Sequence, residues 1–237
     1  MPDLLISCEH ASNHVPDELA TLPGSNRKTL LSHRAFDAGA LEAATRIAEA
    51  TGGHLISGTC TRLAIDLNRG SSNPRRFSEY SRQLSPEKKA ALEAAWYTPY
   101  RDSIAGYIKS SAANRHTVIH LSVHSFTPVL NGVVRNADIG LLYDPARIHE
   151  RSFAERLKVR MHTLRPSLHI RYNYPYRGVT DGCTTWMRKH YAPARYIGIE
   201  IELNQRLLKR KKAWEACLHD LAESVRSVVS RTSAERR

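Results

Sequence analysis

At 237 residues the chain is long enough for one α/β domain with a well-buried core, and its 41% hydrophobic and 24% charged residues are those of an ordinary globular protein. No stretch approaches the roughly eighteen apolar residues of a membrane span. The start also lacks the basic segment, apolar stretch and cleavage site of a signal peptide, so no membrane partner and a cytoplasmic location are expected. The formal charge of +12 concentrates locally at "LKRKK" (208–212) and in the tail "RTSAERR". It is otherwise scattered and carries no interleaved aromatics, which favours a solvated basic face over a nucleic-acid surface. Cys8, Cys60, Cys183 and Cys217 form no CxxC pair, so free thiols are expected rather than a zinc knuckle or a thioredoxin motif.

In chain order, Leu4–Cys8 is an apolar run suited to a buried strand. Pro16–Leu22 predicts a short helix with Pro near its start. "FDAGALEAATRIAEATGG" (36–53) is helical by composition and period, and a Gly pair closes it. "HLISGT" (54–59) and "RLAIDLN" (62–68) predict strands. "SPEKKAALEAAWYTPYRDSIAGYIKSSA" (85–112) opens on a Ser-Pro-Glu start signal and predicts a helix bent at Pro99. "TVIHLSV" (117–123), rich in β-branched residues, predicts a strand. A strand at Ile139–Tyr143, a helix near 147–163, a strand around Leu168–Tyr172 and a helix near 183–190 follow. The strand "YIGIEIEL" (196–203) and a C-terminal helix from about residue 211 complete the pattern. With no repeat, low-complexity tract or linker, residues 1–237 read as a single domain. Strands alternating with helices imply a mostly parallel sheet covered on both faces, whose functional crevice lies beyond the carboxyl ends of the strands.

Four such ends carry chemistry. The first offers Glu9, His10 and His14, the second Asp66, Asn68 and Arg69, the third His124 and Ser125, and the fourth Glu200 and Glu202. On the last strand, alternation puts Ile197, Ile199, Ile201 and Leu203 on one face and Gly198, Glu200 and Glu202 on the other. Buried carboxylates demand a partner, a shifted pKa or a metal, so either an edge strand with one wet face or a catalytic glutamate is implied. His120 and His124 share a face of their strand; mid-strand His120 suits a hydrogen-bonded core role, whereas His124 stands at the strand end, where a ligand belongs. "CEHASNHVPDEL" (8–19) alone is ambiguous. His10 and His14 have zincin spacing, but the glutamate precedes the first histidine instead of following it, and Ser12 or Asn13 could equally cap a helix.

Taken together, "CEHASNHVP", "FDAGA", "TRLAIDLNR", "SVHSFTPVLNG", "NYPY" and "IEIELNQ" resemble, in that order, the N-formylglutamate amidohydrolase family from about residue 4 to residue 207. That family is similar to the zinc carboxypeptidase and aspartoacylase group. The resemblance implies a phosphorylase/hydrolase-like three-layer α/β/α fold around a mixed eight-stranded sheet, and a single zinc serving amide hydrolysis. Position by position it implies His10 and His124 as zinc ligands, Glu202 as general base and Arg62 facing the developing oxyanion. Asn68 and Arg69 match the pair that holds the substrate's carboxylate. Asn13 stands where the carboxypeptidase pattern has a glutamate ligand, so the acidic ligand is assigned to Asp37 of "FDAGA", with His14 and Glu9 as substitutes. The implied partner is a small N-acyl amino acid such as N-formylglutamate. A basic nucleic-acid-binding protein, or a non-catalytic member of the same fold, is the reading from a different class.

Overall fold

A computed structural model describes residues 3–16, 19 and 26–234. Most of the helix expected over Pro16–Leu22 lies outside the described residues. The first strand, β1 (Asp3–Cys8), is followed by a single helical turn, α1 (Arg27–Leu30), whose Asn26 side chain accepts from Thr29 N. Next come α2 (Ala40–Thr51) and β2 (His54–Ser57), which pairs in parallel with β1, Leu5 opposite His54. Gly52, at φ 69°, closes α2 in the left-handed conformation that glycine adopts without a Cβ penalty.

The expected strand 62–68 does not form; residues 61–69 are turns. Leu63, Ala64, Ile65 and Leu67 are buried as strand residues would be, but polar side chains take up the local backbone groups. Thr61 Oγ1 accepts from Leu63 N at 3.3 Å, and Asp66 Oδ1 accepts from Asn68 N at 3.0 Å. Such side-chain turns compete directly with a sheet ladder.

The long helical stretch is divided into α3 (Pro86–Leu92), a wide π turn over Glu93–Tyr97, and α4 (Thr98–Ala113). Ser85 caps the start by accepting from Lys88 N. Pro99 has no N–H, and its ring crowds the carbonyl four residues back; the disturbance is absorbed in the preceding π turn.

The remainder contains β3 (Val118–Phe126), β4 (Val129–Leu130), β5 (Val133–Val134), β6 (Ile139–Leu142), α5 (Ile148–Leu164), β7 (Ile170–Tyr172), α6 (Cys183–His190), β8 (Tyr196–Asn204) and α7 (Lys211–Ala234). Six strands form one sheet in the order β2-β1-β3-β8-β6-β7, and β4 and β5 make a separate hairpin. The eight-stranded sheet implied by the family resemblance is therefore six strands plus a hairpin among the described residues. All neighbours run parallel except β8 and β6, so the sheet is mixed and mostly parallel. β8 is an interior strand between β3 and β6, which removes the reading of Glu200 and Glu202 as a wet edge.

One sheet face, with Ile6, Leu121, Val123, Ile199 and Ile201, packs against α2, α5 and α7 through Ala44, Ile47, Phe153, Leu157, Leu221 and Val225. The other face lies under α4 and α6, where Ile104, Ile108, Cys183 and Met187 join Leu5, Val118 and Tyr196. The result is three layers, α/β/α. At the amino end of β8, the buried Glu150 of α5 accepts from Arg188 Nε of α6 at 3.0 and 3.1 Å and from Gly198 N at 3.2 Å, tying both helices to that strand. No helix among the described residues is long and apolar enough to cross a membrane.

Candidate functional site

β1 and β3 are parallel neighbours, and β3 is in turn parallel to β8, so their carboxyl ends emerge side by side. Strand register sets His124 directly opposite Glu202 and Ser122 opposite Glu200. His10 leaves β1 with its carbonyl accepting from Asp37 N at 2.9 Å. Asp37 was expected at the start of a helix; α2 begins only at Ala40, so Asp37 sits in the preceding turn, aimed at the histidines. Gly39 makes that turn possible: its φ is +80°, and a Cβ there would meet the Trp214 indole at 2.8 Å.

Asp37 Oδ2 lies 3.3 Å from His10 Nδ1 and 3.0 Å from His124 Nδ1. One ligand atom from each of these three buried residues lies within 4.8 Å of the others. The outer imidazole nitrogens are held by further carboxylates, His10 Nε2 at 2.7 Å from Asp66 Oδ1 and His124 Nε2 at 3.2 Å from Glu9 Oε2. Two imidazoles and a carboxylate around one point, each imidazole backed by an acid, form a donor set that fits a divalent transition metal. Burial alone would raise the Asp37 pKa, but His10, His124 and Arg62 hold it well below the usual carboxylate range. Burial likewise opposes ionisation of Glu9, yet His124, His120 and Ser122 keep it far below its ordinary value. Burial would lower the His124 pKa, whereas Asp37 and Glu9 raise it well above that of a free imidazole.

Arg62 bridges the two acids around His10, with Nη2 3.0 Å from Asp66 Oδ2 and Nη1 3.4 Å from Asp37 Oδ1. Glu202 is 5% exposed, and its Oε2 has no hydrogen-bond partner among the described residues. Burial pushes its carboxyl up to about 7, with His124 pulling the other way. On the far side β6 presents Gly140 to Glu202. A Cβ at Gly140 would collide with the Tyr174 carbonyl, so the close approach of that loop requires glycine. Glu200 is committed elsewhere, its Oε1 accepting from Thr184 Oγ1 of α6 at 2.5 Å.

Asn68 spends its carbonyl oxygen on Cys183 N at 2.6 Å, at the start of α6. Arg69 donates from Nη1 to the Asp181 carbonyl at 3.1 Å, and its own carbonyl accepts from Tyr97 OH at 2.9 Å. Arg62, Asp66 and Arg69 open onto a cleft of about 400 Å³ that Arg34, Arg75, Arg82, His33 and Tyr176 also line. Glu79 also lines the cleft and pairs with Arg34, so five arginines against Asp66 and Glu79 leave the wall net cationic, which suits an anionic small molecule.

The structure thus brings His10, Asp37, His124, Arg62 and Glu202 together, with Arg69 at the rim of the adjoining cleft. His14 is exposed and faces Trp96, and Asn13 donates to the Leu30 carbonyl, so neither joins the metal-competent cluster. Glu9 is fully buried behind His124 instead of beside Asp37. Asp66, given no role from the sequence beyond its place near a supposed strand end, holds the outer nitrogen of His10. Ser7 and Ser122 were also missed; a polar residue alternating onto the same face as Glu9 and His124 was the available signal.

A mixed, mostly parallel sheet between two helical layers, with polar residues gathered at its carboxyl edge, makes the chain a three-layer α/β/α protein. The profile of the N-formylglutamate amidohydrolase family matches residues 2–209, and the chain belongs to that family. A gene product from Agrobacterium tumefaciens, known from its crystal structure, is 30% identical, with a TM-score of 0.80 over 98% of this chain and 92% of that one. The crystal structure of an N-formylglutamate amidohydrolase from Ralstonia eutropha shares the fold at 16% identity, with a TM-score of 0.71 over 99% of this chain and 95% of that one. No curated protein matches by sequence.

Proposed function

We propose that the chain is a zinc-dependent amidohydrolase that cleaves the amide of an N-acyl amino acid, with N-formylglutamate as the representative substrate. The observation that carries this reading is Glu202 Oε2, buried and unpartnered opposite His124, on a carboxyl pushed up to about 7. A general base works best when its pKa lies near the operating pH.

His10 and His124, through Nδ1, and Asp37, through Oδ2, would hold the zinc. Zinc bound there supplies Lewis acidity toward the scissile carbonyl and toward water. Glu202 takes a proton from the attacking water at Oε2 and returns it to the leaving nitrogen. A C–O bond forms as the C–N bond breaks, releasing a carboxylic acid and a free amine. Arg62, fixed between Asp37 and Asp66, faces the cleft with its guanidinium and offers N–H donors to the oxygen that gains negative charge. Arg69 and the Nδ2 of Asn68 anchor the substrate's carboxylate, so the scissile bond is held in place before reaction.

The test is metal analysis of protein purified without chelator, combined with a hydrolysis assay over a panel of N-formyl and N-acetyl amino acids. About one zinc per chain is expected, with turnover lost on chelation and restored by zinc. Protein that neither retains zinc nor releases formate from any member of the panel would overturn the reading.

A further inference from the structure

Behind the proposed metal ligands, a continuous buried polar chain runs across three strands. Its members are Ser7 and Glu9 from the β1 end, His120, Ser122 and His124 from β3, and Tyr196 from β8, all of them buried. The direction of every hydrogen bond follows from the carboxylate at its centre. Ser7 Oγ donates to Glu9 Oε1 at 2.8 Å, and Ser122 Oγ donates to Glu9 Oε2 at 2.8 Å. Each hydroxyl has a single proton, now spent, and can only accept from anything else.

His120 Nε2, 2.8 Å from Ser7 Oγ, must therefore carry a proton, so its Nδ1 accepts from Tyr196 OH at 2.7 Å. His124 Nε2, 2.9 Å from Ser122 Oγ and 3.2 Å from Glu9 Oε2, must carry one as well. In neutral His124 the lone pair is then left on Nδ1, the nitrogen that faces Asp37. Glu9 itself cannot be a ligand alongside Asp37, because both of its oxygens are occupied on the far side of the His124 ring.

We propose that Glu9 is a positioning residue: acting directly and through Ser122, it sets the His124 tautomer that ligates metal through Nδ1, while Ser7, His120 and Tyr196 anchor its other oxygen. This rests on the zinc reading above. Glu9→Gln keeps the shape but replaces one accepting oxygen with an N–H₂ donor. One of the two serine hydroxyls must then reverse, and the relay loses its single direction.

Two measurements on the full chain test the proposal. The first is ¹⁵N NMR of the metal-free wild type. Burial drives the His120 pKa down to about 4, so the ring is neutral at pH near 7 and its tautomer can be read. The Nε2–H form is expected; an Nδ1–H form overturns the hydrogen-bond directions. The second is zinc affinity by competition with a chelating dye, beside the melting temperature of the metal-free protein. Glu9→Gln should bind zinc about 10- to 100-fold more weakly, the usual cost of removing a partner behind a ligand, with folding retained. Wild-type affinity in that variant reduces Glu9 to packing and overturns the proposal. Should Glu9→Gln fail to fold, Ser122→Ala provides the same readout with a smaller loss, and an unchanged affinity there counts equally against the relay. If wild type binds no zinc at all, the functional reading fails, whereas the His120 tautomer still decides the relay by itself.

Discussion

Toward their carboxyl ends, the two faces of the central strands are equally buried and chemically opposite. Along β1, β3 and β8, one set of alternate residues is Leu4, Ile6, Ile119, Leu121, Val123, Ile197, Ile199 and Ile201; the other includes Ser7, His120, Ser122, His124, Glu200 and Glu202. The apolar set stabilises without direction, through area removed from water. The polar set is tolerated only because its groups satisfy one another, and its exception, Glu202 Oε2, is the atom assigned the proton transfer. A strand period of two residues thus separates what holds the sheet together from the groups proposed to react at its edge.

That separation can be broken or sharpened by substitution. The largest effect is expected from His10→Ala and His124→Ala on the polar side: each should abolish stoichiometric zinc and hydrolysis while the metal-free protein still melts cooperatively. Metal analysis and turnover check this, and a His124→Ala protein with one tightly held zinc would disprove the assignment. Next comes Glu202→Gln, which should keep full zinc yet lose roughly two to four orders of magnitude in turnover. It should also change the pH dependence of stability. Glu202 is pushed from an ordinary 4.5 up to about 7 in the folded protein, so the native state holds this proton more tightly. Its contribution is complete below the unfolded value and is lost as pH rises through the folded one. In metal-free protein the melting temperature of Glu202→Gln should therefore gain on wild type between about pH 5 and pH 8. A difference that stays flat across that range would mean Glu202 is ionised throughout.

On the apolar side, Ile199→Ala should cost about 2–5 kcal/mol of stability and leave zinc stoichiometry intact, as read by denaturant unfolding and metal analysis. A parallel loss of zinc would show that the two faces are not independent. The smallest effect belongs to the cleft. Arg69→Lys keeps charge but not the planar fork, and should raise KM about tenfold, equivalent to about 1.4 kcal/mol, for substrates with a free α-carboxylate. Equal turnover of amidated and free substrates by wild type would remove the anchor role from Arg69 and Asn68.

The strands that carry the site were legible because strand alternation and strand ends are local properties. His124 before "SFTP" and the glutamates in "IEIEL" could be placed from spacing alone, whereas Asp37 and Arg62 came from the family resemblance. The segment 62–68 could not be read correctly, since alternating Leu63, Ile65 and Leu67 look the same in a strand and in a buried turn. What decides between them is the competition of Thr61 and Asp66 for backbone N–H groups, and Asp66 then turns to His10, 56 residues away in the chain. Glu9 was open to being read as a ligand because the direction of its side chain depends on Ser122, 113 residues further on. Partners that meet only through the sheet leave no local period to detect.

The strand order also imposes a timetable. His10, Asp37 and His124 are all synthesised before β8, the strand that bears Glu202 and fills the place between β3 and β6. At 5–20 residues per second, a ribosome takes on the order of ten seconds to travel from His124 to Glu202. On the proposed assignment, the growing chain owns throughout that interval the three groups that would hold a cation and lacks the one that would use it, so loading can precede activity in the life of each molecule.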